Sequence, residues 1–260
     1  MTLPFIFKGN IMPDNSTHER ITMITVYDYP TALIFDSCGF DYFLVGDSVG
    51  MVELGLPDTK GVTMDMVAHH LKAVKRGTSQ THIIADMPIN TYSDGETALT
   101  NGTFFIRAGA DSVKVEGPCY DAVTKLVSEG IEVIGHIGLT PQTAADYRMK
   151  GTSPDEVERL KQEAKGLEEA GCYGVILEHI PASAAGEITG CISIPTIGIG
   201  AGPRTTGQVL VSSDLLGLFE KVPPFAKKYA DLRTVIAEAG KTYIKEVKQG
   251  AFPSEEYYRS

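Results

Sequence analysis

Val113-Lys114-Val115-Glu116 is a short apolar segment that ends in charge. On a β-strand, side chains alternate between faces, so Lys114 and Glu116 share one face and the two valines share the other. If the valines pack against helices, Lys114 and Glu116 point into the interior of a closed sheet. A lysine there is costly unless it is paired or used. The same form recurs along the chain as Leu44-Val45-Gly46-Asp47, Ile83-Ile84-Ala85-Asp86, Val133-Ile134-Gly135-His136 and Val175-Ile176-Leu177-Glu178. Strands are predicted near 22–27, 41–46, 82–86, 111–116, 131–136, 173–178, 194–198 and 209–212. Helices are predicted near 30–38, 65–76, 95–108, 120–129, 154–170, 182–189 and 231–248. Strict alternation implies a parallel sheet covered by helices. Eight strands imply an α/β fold of the (β/α)₈ TIM-barrel type, in which the C-terminal strand ends surround one site.

The helix predicted at 154–170 shows how the intervening segments are built. Ser153-Pro154-Asp155-Glu156 is a capping box with proline at the first helical position. Val157, Leu160, Ala164 and Leu167 follow at the three- and four-residue spacing of one buried face, and Gly171 stops the helix. No Ser- or Pro-rich linker divides the 260 residues. A single domain over 1–260 is expected, with an N-terminal arm over about 1–20 and a C-terminal helix and tail over about 231–260.

Composition narrows the function. The chain is 43% hydrophobic and 22% charged, as in ordinary globular proteins, and its formal net charge is −10. That charge argues against nucleic acid or an anionic membrane as a partner, both of which require a basic surface. No apolar run is long enough to span a bilayer, and Leu3-Pro4-Phe5-Ile6-Phe7 is too short for a secretory signal. Cys38, Cys119, Cys172 and Cys191 are scattered and form no C-x-x-C pair, so a thiolate zinc site is not expected and a reducing, cytoplasmic setting is.

The strand ends carry the chemistry. Asp47 and Asp86 would ordinarily be helix N-caps, but the helices that follow begin well downstream of each. Several carboxylates gathered at one mouth repel each other unless a cation compensates them. All-oxygen donors suit Mg²⁺ better than zinc. Lys114 and Glu116 are open to two assignments, a structural ion pair or a working site. His136 stands as a ligand, a hydrogen-bond donor or a packed core histidine. Glu178 stands as a general base or as a charge facing the N-terminus of the 182–189 helix.

Two motifs invite other assignments. Gly46-Asp47-Ser48-Val49-Gly50 matches the G-x-S-x-G nucleophile elbow, but a loop rather than a helix is expected after Ser48, which argues against a serine hydrolase. Gly198-Ile199-Gly200-Ala201-Gly202 follows a late strand but lacks the dinucleotide fingerprint, and tight backbone packing explains it better. His69 and His70 are expected at a helix surface and boundary.

Several segments together resemble the ketopantoate hydroxymethyltransferase family. They are Thr25-Val26-Tyr27-Asp28-Tyr29, Leu44-Val45-Gly46-Asp47-Ser48-Val49-Gly50-Met51, Ala85-Asp86-Met87-Pro88, Val113-Lys114-Val115-Glu116-Gly117, Gly135-His136-Ile137-Gly138-Leu139-Thr140-Pro141-Gln142 and Ile197-Gly198-Ile199-Gly200-Ala201-Gly202. They run in the family's order from about residue 21 to 253. The resemblance implies a barrel of the phosphoenolpyruvate mutase/isocitrate lyase type, Mg²⁺, and 5,10-methylenetetrahydrofolate as co-substrate. It implies hydroxymethyl transfer to 3-methyl-2-oxobutanoate, giving 2-dehydropantoate in pantothenate and coenzyme A biosynthesis. Asp47, Asp86 and Glu116 would hold the metal. Asp47, Ser48, Asp86 and Lys114, with His136 beside them, would meet the 2-oxo acid, and Glu178 would accept the proton. A large homo-oligomer, typically a decamer, is implied as well. The chain departs from the family pattern at 55–63, at 143–151, and in Lys221-Val222-Pro223-Pro224-Phe225. Two alternatives stand beside this expectation. One is a paralogue using the same Mg²⁺-enolate centre on another 2-oxo acid or as a C–C lyase, and the other is a non-catalytic metabolite-binding oligomer.

Overall fold

A computed structural model describes residues 20–259, so the expected N-terminal arm lies almost wholly outside the described residues. The elements run β1 (Ile21–Thr25), α1 (Tyr29–Asp36), β2 (Tyr42–Val45), α2 (Val49–Val52), α3 (Met64–Gly77), β3 (His82–Asp86), α4 (Gly95–Ala108) and β4 (Ser112–Glu116). They continue with α5 (Tyr120–Ser128), β5 (Val133–Gly138), α6 (Pro154–Glu169), β6 (Gly174–Glu178), α7 (Ala182–Thr189), β7 (Thr196–Ile199) and β8 (Gly207–Leu210). The strands pair in chain order, all parallel, and β8 returns to β1 to close the barrel.

Register settles which residues face inward. Met23, Leu44, Ile84, Ile134, Ile176, Ile197 and Val209 meet in one buried interior cluster. Ile84 pairs with Ser112, Asp86 with Lys114, Lys114 with Ile134, and Glu116 with His136. Lys114 and Glu116 therefore share the inner face with that cluster. Val113 and Val115 are fully buried on the other face, as the alternation requires.

The helices start where local chemistry starts them. Thr63 caps α3 by accepting the Met66 N–H, Asp94 caps α4 by accepting the Thr97 N–H, and Ser153 caps α6 by accepting the Glu156 N–H. Leu160, Ala164 and Leu167 are buried on α6 as expected, while Val157, one turn earlier, is only half-buried. At the C-terminal end of α1, Asp36 accepts from the Ser79, Gln80 and Thr81 N–H groups and from the Ser79 and Thr81 hydroxyls, tying α1 to the loop before β3.

The structure departs from expectation at several points, and β5 lies two residues later than predicted, at Val133–Gly138. The last strand lies two residues earlier than predicted, because Gly207 and Gln208 pair with β1 in a segment without apolar alternation. A one-turn helix, α2, follows Ser48 where a loop was expected, with Ser48 at its N-cap.

The chain divides after Leu210 into two compact units. The second unit, from Val211, contains α8 (Ser212–Leu215), α9 (Leu232–Lys248) and a 3₁₀ turn at Glu255–Tyr257. Asp231 caps α9 through the Thr234 N–H and hydroxyl. Val235, Ile236, Tyr243, Ile244 and Val247 of α9 are exposed. Among the described residues, no helix is long and apolar enough to cross a membrane.

Candidate active site

Asp47, Asp86, Lys114, Glu116, His136 and Glu178 converge at the C-terminal ends of β2 to β6, which are adjacent strands. All but Glu178 are at most 6% exposed. Neither Asp47 nor Asp86 caps a helix, since Thr63 and Asp94 do that work for α3 and α4. The Asp47 N–H donates to Asp86 Oδ2 at 3.1 Å, and Lys114 Nζ donates to the same oxygen at 2.7 Å. Burial works against the Lys114 charge, but Asp86, Asp47 and Glu116 around it outweigh that and hold the ammonium well above its ordinary range. Burial raises Asp86 above the usual carboxylate range, and Lys114 only partly offsets this.

His136 sits between two carboxylates. Its Nδ1 is 3.3 Å from Glu116 Oε2 and its Nε2 is 3.1 Å from Glu178 Oε2. These are ion-pair contacts rather than well-aligned hydrogen bonds. Burial and the nearby Lys114 oppose protonation of the ring, and the two carboxylates overcome both, holding the imidazole at about 9 and so protonated at neutral pH. With each ring nitrogen beside a carboxylate, His136 is a charged partner of Glu116 and Glu178.

The backbone turns sharply to aim Glu178. His179, directly after it, adopts a left-handed φ of 51°, uncommon outside glycine. The His179 N–H donates to the Ile199 carbonyl at 2.9 Å, and its own carbonyl accepts from the Lys150 N–H at 3.0 Å. Gly138 permits the close approach of β5, since a Cβ there would lie 2.3 Å from the Glu178 carbonyl oxygen. The Glu178 side chain keeps 20% of its surface accessible.

Ser48 faces the same mouth, but its Oγ bonds to the Tyr27 hydroxyl at 2.7 Å. A helix does follow it, so the reason given for rejecting a nucleophile elbow does not hold. What argues against the elbow is the partner, a tyrosine in place of a general-base histidine. The glycine-rich turn after β7 is tightly packed, because a Cβ at Gly202 would lie 2.4 Å from the Ala182 Cβ. His70 bonds to the Tyr27 carbonyl at 2.7 Å, at the boundary where it was expected.

Two residues without an assigned role in the sequence complete the site. Gln142, in the loop after β5, is fully buried. Its Nε2 donates to Asp47 Oδ2 and to the Met87 carbonyl, both at 3.0 Å, and its backbone N–H donates to Glu116 Oε1 at 2.9 Å. The Tyr92 hydroxyl donates to Gln142 Oε1 at 2.5 Å. An uncharged amide in a strand-end loop has no periodicity to announce it, and neither does the tyrosine behind it.

The donor set suits a hard cation. Four acidic side chains (Asp47, Asp86, Glu116 and Glu178) face two basic ones (Lys114 and His136), leaving an acidic excess of two. Asp86 Oδ1 is buried without a hydrogen-bond partner, an expensive state for a carboxylate oxygen. Among the described residues, no three His, Cys, Asp or Glu side chains converge closely enough to enclose an ion by themselves. Mg²⁺ does not require such a cage, since it is commonly held by one or two carboxylates together with waters and substrate oxygens.

Comparison with known proteins shows the family. The family model for ketopantoate hydroxymethyltransferase matches residues 9–255. A 3-methyl-2-oxobutanoate hydroxymethyltransferase of Thermococcus kodakarensis is 49% identical over 247 residues, covering 92% of this chain and 87% of the relative. One of the same name from Ignicoccus hospitalis is 46% identical over 255 residues, covering 96% and 97%. Among solved structures, 2,3-dimethylmalate lyase of the PEP mutase/isocitrate lyase superfamily shares the fold with a TM-score of 0.59 at 16% identity, covering 92% of this chain and 86% of that one. With five charged side chains and a histidine gathered at one barrel mouth, and with this match across nearly its whole length, the chain belongs to the ketopantoate hydroxymethyltransferase family of transferases.

Proposed function

We propose that this protein transfers a hydroxymethyl group from 5,10-methylenetetrahydrofolate to 3-methyl-2-oxobutanoate, giving 2-dehydropantoate for pantothenate and coenzyme A synthesis. The observation that carries the proposal is the chain Glu116–His136–Glu178 lying beside the Lys114–Asp86 pair at one barrel mouth. Asp47 and Asp86 would supply oxygens for Mg²⁺, with Asp86 Oδ1, which has no hydrogen-bond partner, the most available. Glu116, whose Oε1 accepts from the Gln142 N–H and whose Oε2 meets His136, would be the third carboxylate donor to the ion. The ion, when bound, polarises the keto oxygen as a Lewis acid.

The chain's own residues do the rest. Lys114 keeps its ammonium and faces the carboxylate end of the 2-oxo acid. Ser48, with its Oγ held by the Tyr27 hydroxyl, presents its own hydroxyl to the same substrate. Glu178 Oε1, not engaged by His136, takes the proton from C3, and the imidazolium at Oε2 fixes the direction of the carboxylate. Water releases the one-carbon unit from methylenetetrahydrofolate at the formaldehyde level, freeing tetrahydrofolate; the C3 carbanion equivalent bonds to that carbon, and its oxygen takes back the proton held by Glu178 to become the new hydroxyl.

The loops over the mouth select what binds there. Lys60 Nζ donates to the Ala144 carbonyl at 3.3 Å, so the two segments that depart from the family pattern, 55–63 and 143–151, touch each other. A homo-oligomer is the proposed assembly, with the exposed apolar face of α9 and the exposed Leu33 and Ile34 of α1 as surfaces that a second copy would cover. A reducing, cytoplasmic setting goes with four cysteines that are all free.

The test is a panel of 2-oxo acids assayed with and without methylenetetrahydrofolate and with and without EDTA. Product should form from 3-methyl-2-oxobutanoate only with folate and Mg²⁺ together. Turnover that ignores folate, or a strong preference for a 2-oxo diacid, points instead to a C–C lyase.

A further inference from the structure

We infer that Gln142, oriented by Tyr92, is a positioning residue that sets the metal-binding geometry of Asp47 and Glu116, and so makes Mg²⁺ affinity depend on the loop after β5. The inference rests on the metal site proposed above and names residues outside it. Gln142 stands apart from ordinary packing residues in three ways.

First, it is fully buried, and its backbone N–H and both ends of its side-chain amide are bonded. Second, its bonds reach across the mouth to the ends of three different strands. Nε2 holds Asp47 Oδ2 after β2 and the Met87 carbonyl after β3, and the backbone N–H holds Glu116 Oε1 on β4. Third, its amide can point only one way. A flipped amide would set its oxygen against the Asp47 carboxylate and the Met87 carbonyl, both acceptors. Burial and the nearby Glu116 raise the Tyr92 phenol far above its ordinary value, so it remains a neutral O–H donor to Oε1. Tyr92 thus holds the amide oxygen, the amide nitrogen holds Asp47, and the Gln142 backbone N–H holds Glu116.

One oxygen of Asp47 and one of Glu116 are committed to Gln142 before any ion arrives. Asp47 is left with Oδ1 to offer a metal. Partners that orient ligands in this way are typically worth about 10- to 100-fold in metal affinity.

The experiment measures Mn²⁺ binding by electron paramagnetic resonance, without folate or 2-oxo acid, in the parent, Gln142→Leu and Tyr92→Phe. The leucine fills much of the same volume without polar atoms, and the phenylalanine removes one oxygen. The dissociation constant should rise about 10- to 100-fold in Gln142→Leu and by less, in the same direction, in Tyr92→Phe. Transfer activity in both should recover as Mg²⁺ is raised, which a merely structural defect would not allow. Parental Mn²⁺ affinity in both variants overturns the inference. If Gln142→Leu does not fold, Tyr92→Phe decides alone. If the parent itself binds no Mn²⁺, the metal site falls and the inference falls with it, a result distinct from parental affinity in the variants.

Discussion

The two ends of the barrel interior are built on opposite principles. At the N-terminal end, His82 Nε2 meets Ser112 Oγ at 2.8 Å, Ser112 Oγ meets the Tyr173 hydroxyl at 3.0 Å, and Tyr42 stacks on Tyr173 with ring centroids 6.2 Å apart. Burial keeps His82 below and Tyr173 above their usual values, so both stay neutral. These four side chains are neutral, and His82, Ser112 and Tyr173 bond to one another. At the C-terminal end, charges are buried together, Asp86 Oδ1 is unbonded, and His136 is held protonated between two carboxylates. The same eight strands carry both ends, with the interior cluster between them. The division of labour between barrel faces assigns stability to the satisfied end and makes the charged end the candidate for chemistry.

Substitutions at the two ends sharpen this contrast. Lys114→Met should have the largest effect on stability, because it strands Asp86 in the interior without its cation. Breaking a buried pair from one side costs about 3–5 kcal/mol, and the 2-oxo acid should no longer bind. Calorimetry with a substrate titration checks both, and a variant that matches the parent in each would make Lys114 dispensable.

Asp36→Asn, far from the mouth, should cost about 1.5–3 kcal/mol, the scale of hydrogen bonds to a charged group. Although desolvation opposes it, the five hydrogen bonds from Ser79, Gln80 and Thr81 hold the Asp36 carboxyl well below the usual range. A depressed folded value means stability that is present above the unfolded value of about 3.9 and is lost as pH falls below it. The variant should therefore show a shallower acid limb below about pH 4 in a stability–pH profile, with activity at neutral pH unchanged. An acid limb as steep as the parent's would assign the acid sensitivity to other carboxylates.

Tyr173→Phe should have the smallest effect, about 0.5–1.5 kcal/mol for one buried hydrogen bond, because Ser112 keeps His82 as a partner. Its kcat and KM should match the parent's. A change in either would mean that the floor communicates with the mouth and that the contrast is drawn too sharply.

The barrel was legible because alternation and charge coincide. Val113-Lys114-Val115-Glu116 announces both a strand and its inner face, and Ser153-Pro154-Asp155-Glu156 announces a helix start. β8 was displaced because Gly207 and Gln208 owe their strand state to pairing with β1, not to any pattern of their own. α2 is a single turn, too short to show a period. The charged residues at the mouth stood out because they end apolar runs. Gln142 and Tyr92 did not, since an amide and a phenol in loops signal nothing until folding brings them against Asp47 and Glu116. Nor does the sequence reveal that His136 is protonated, which follows only from carboxylates on both sides of its ring.

Deuterium exchange at C3 of 3-methyl-2-oxobutanoate, followed by NMR without folate, tests the central claim most directly. It isolates proton removal at the charged mouth from the loops that choose the one-carbon donor. Exchange should require Mg²⁺, stop on addition of EDTA, and slow by about 10²–10⁴-fold in Glu178→Gln, whose fold and Mn²⁺ affinity should be unchanged. Parental exchange in Glu178→Gln, or full exchange in metal-free protein, would contradict the account.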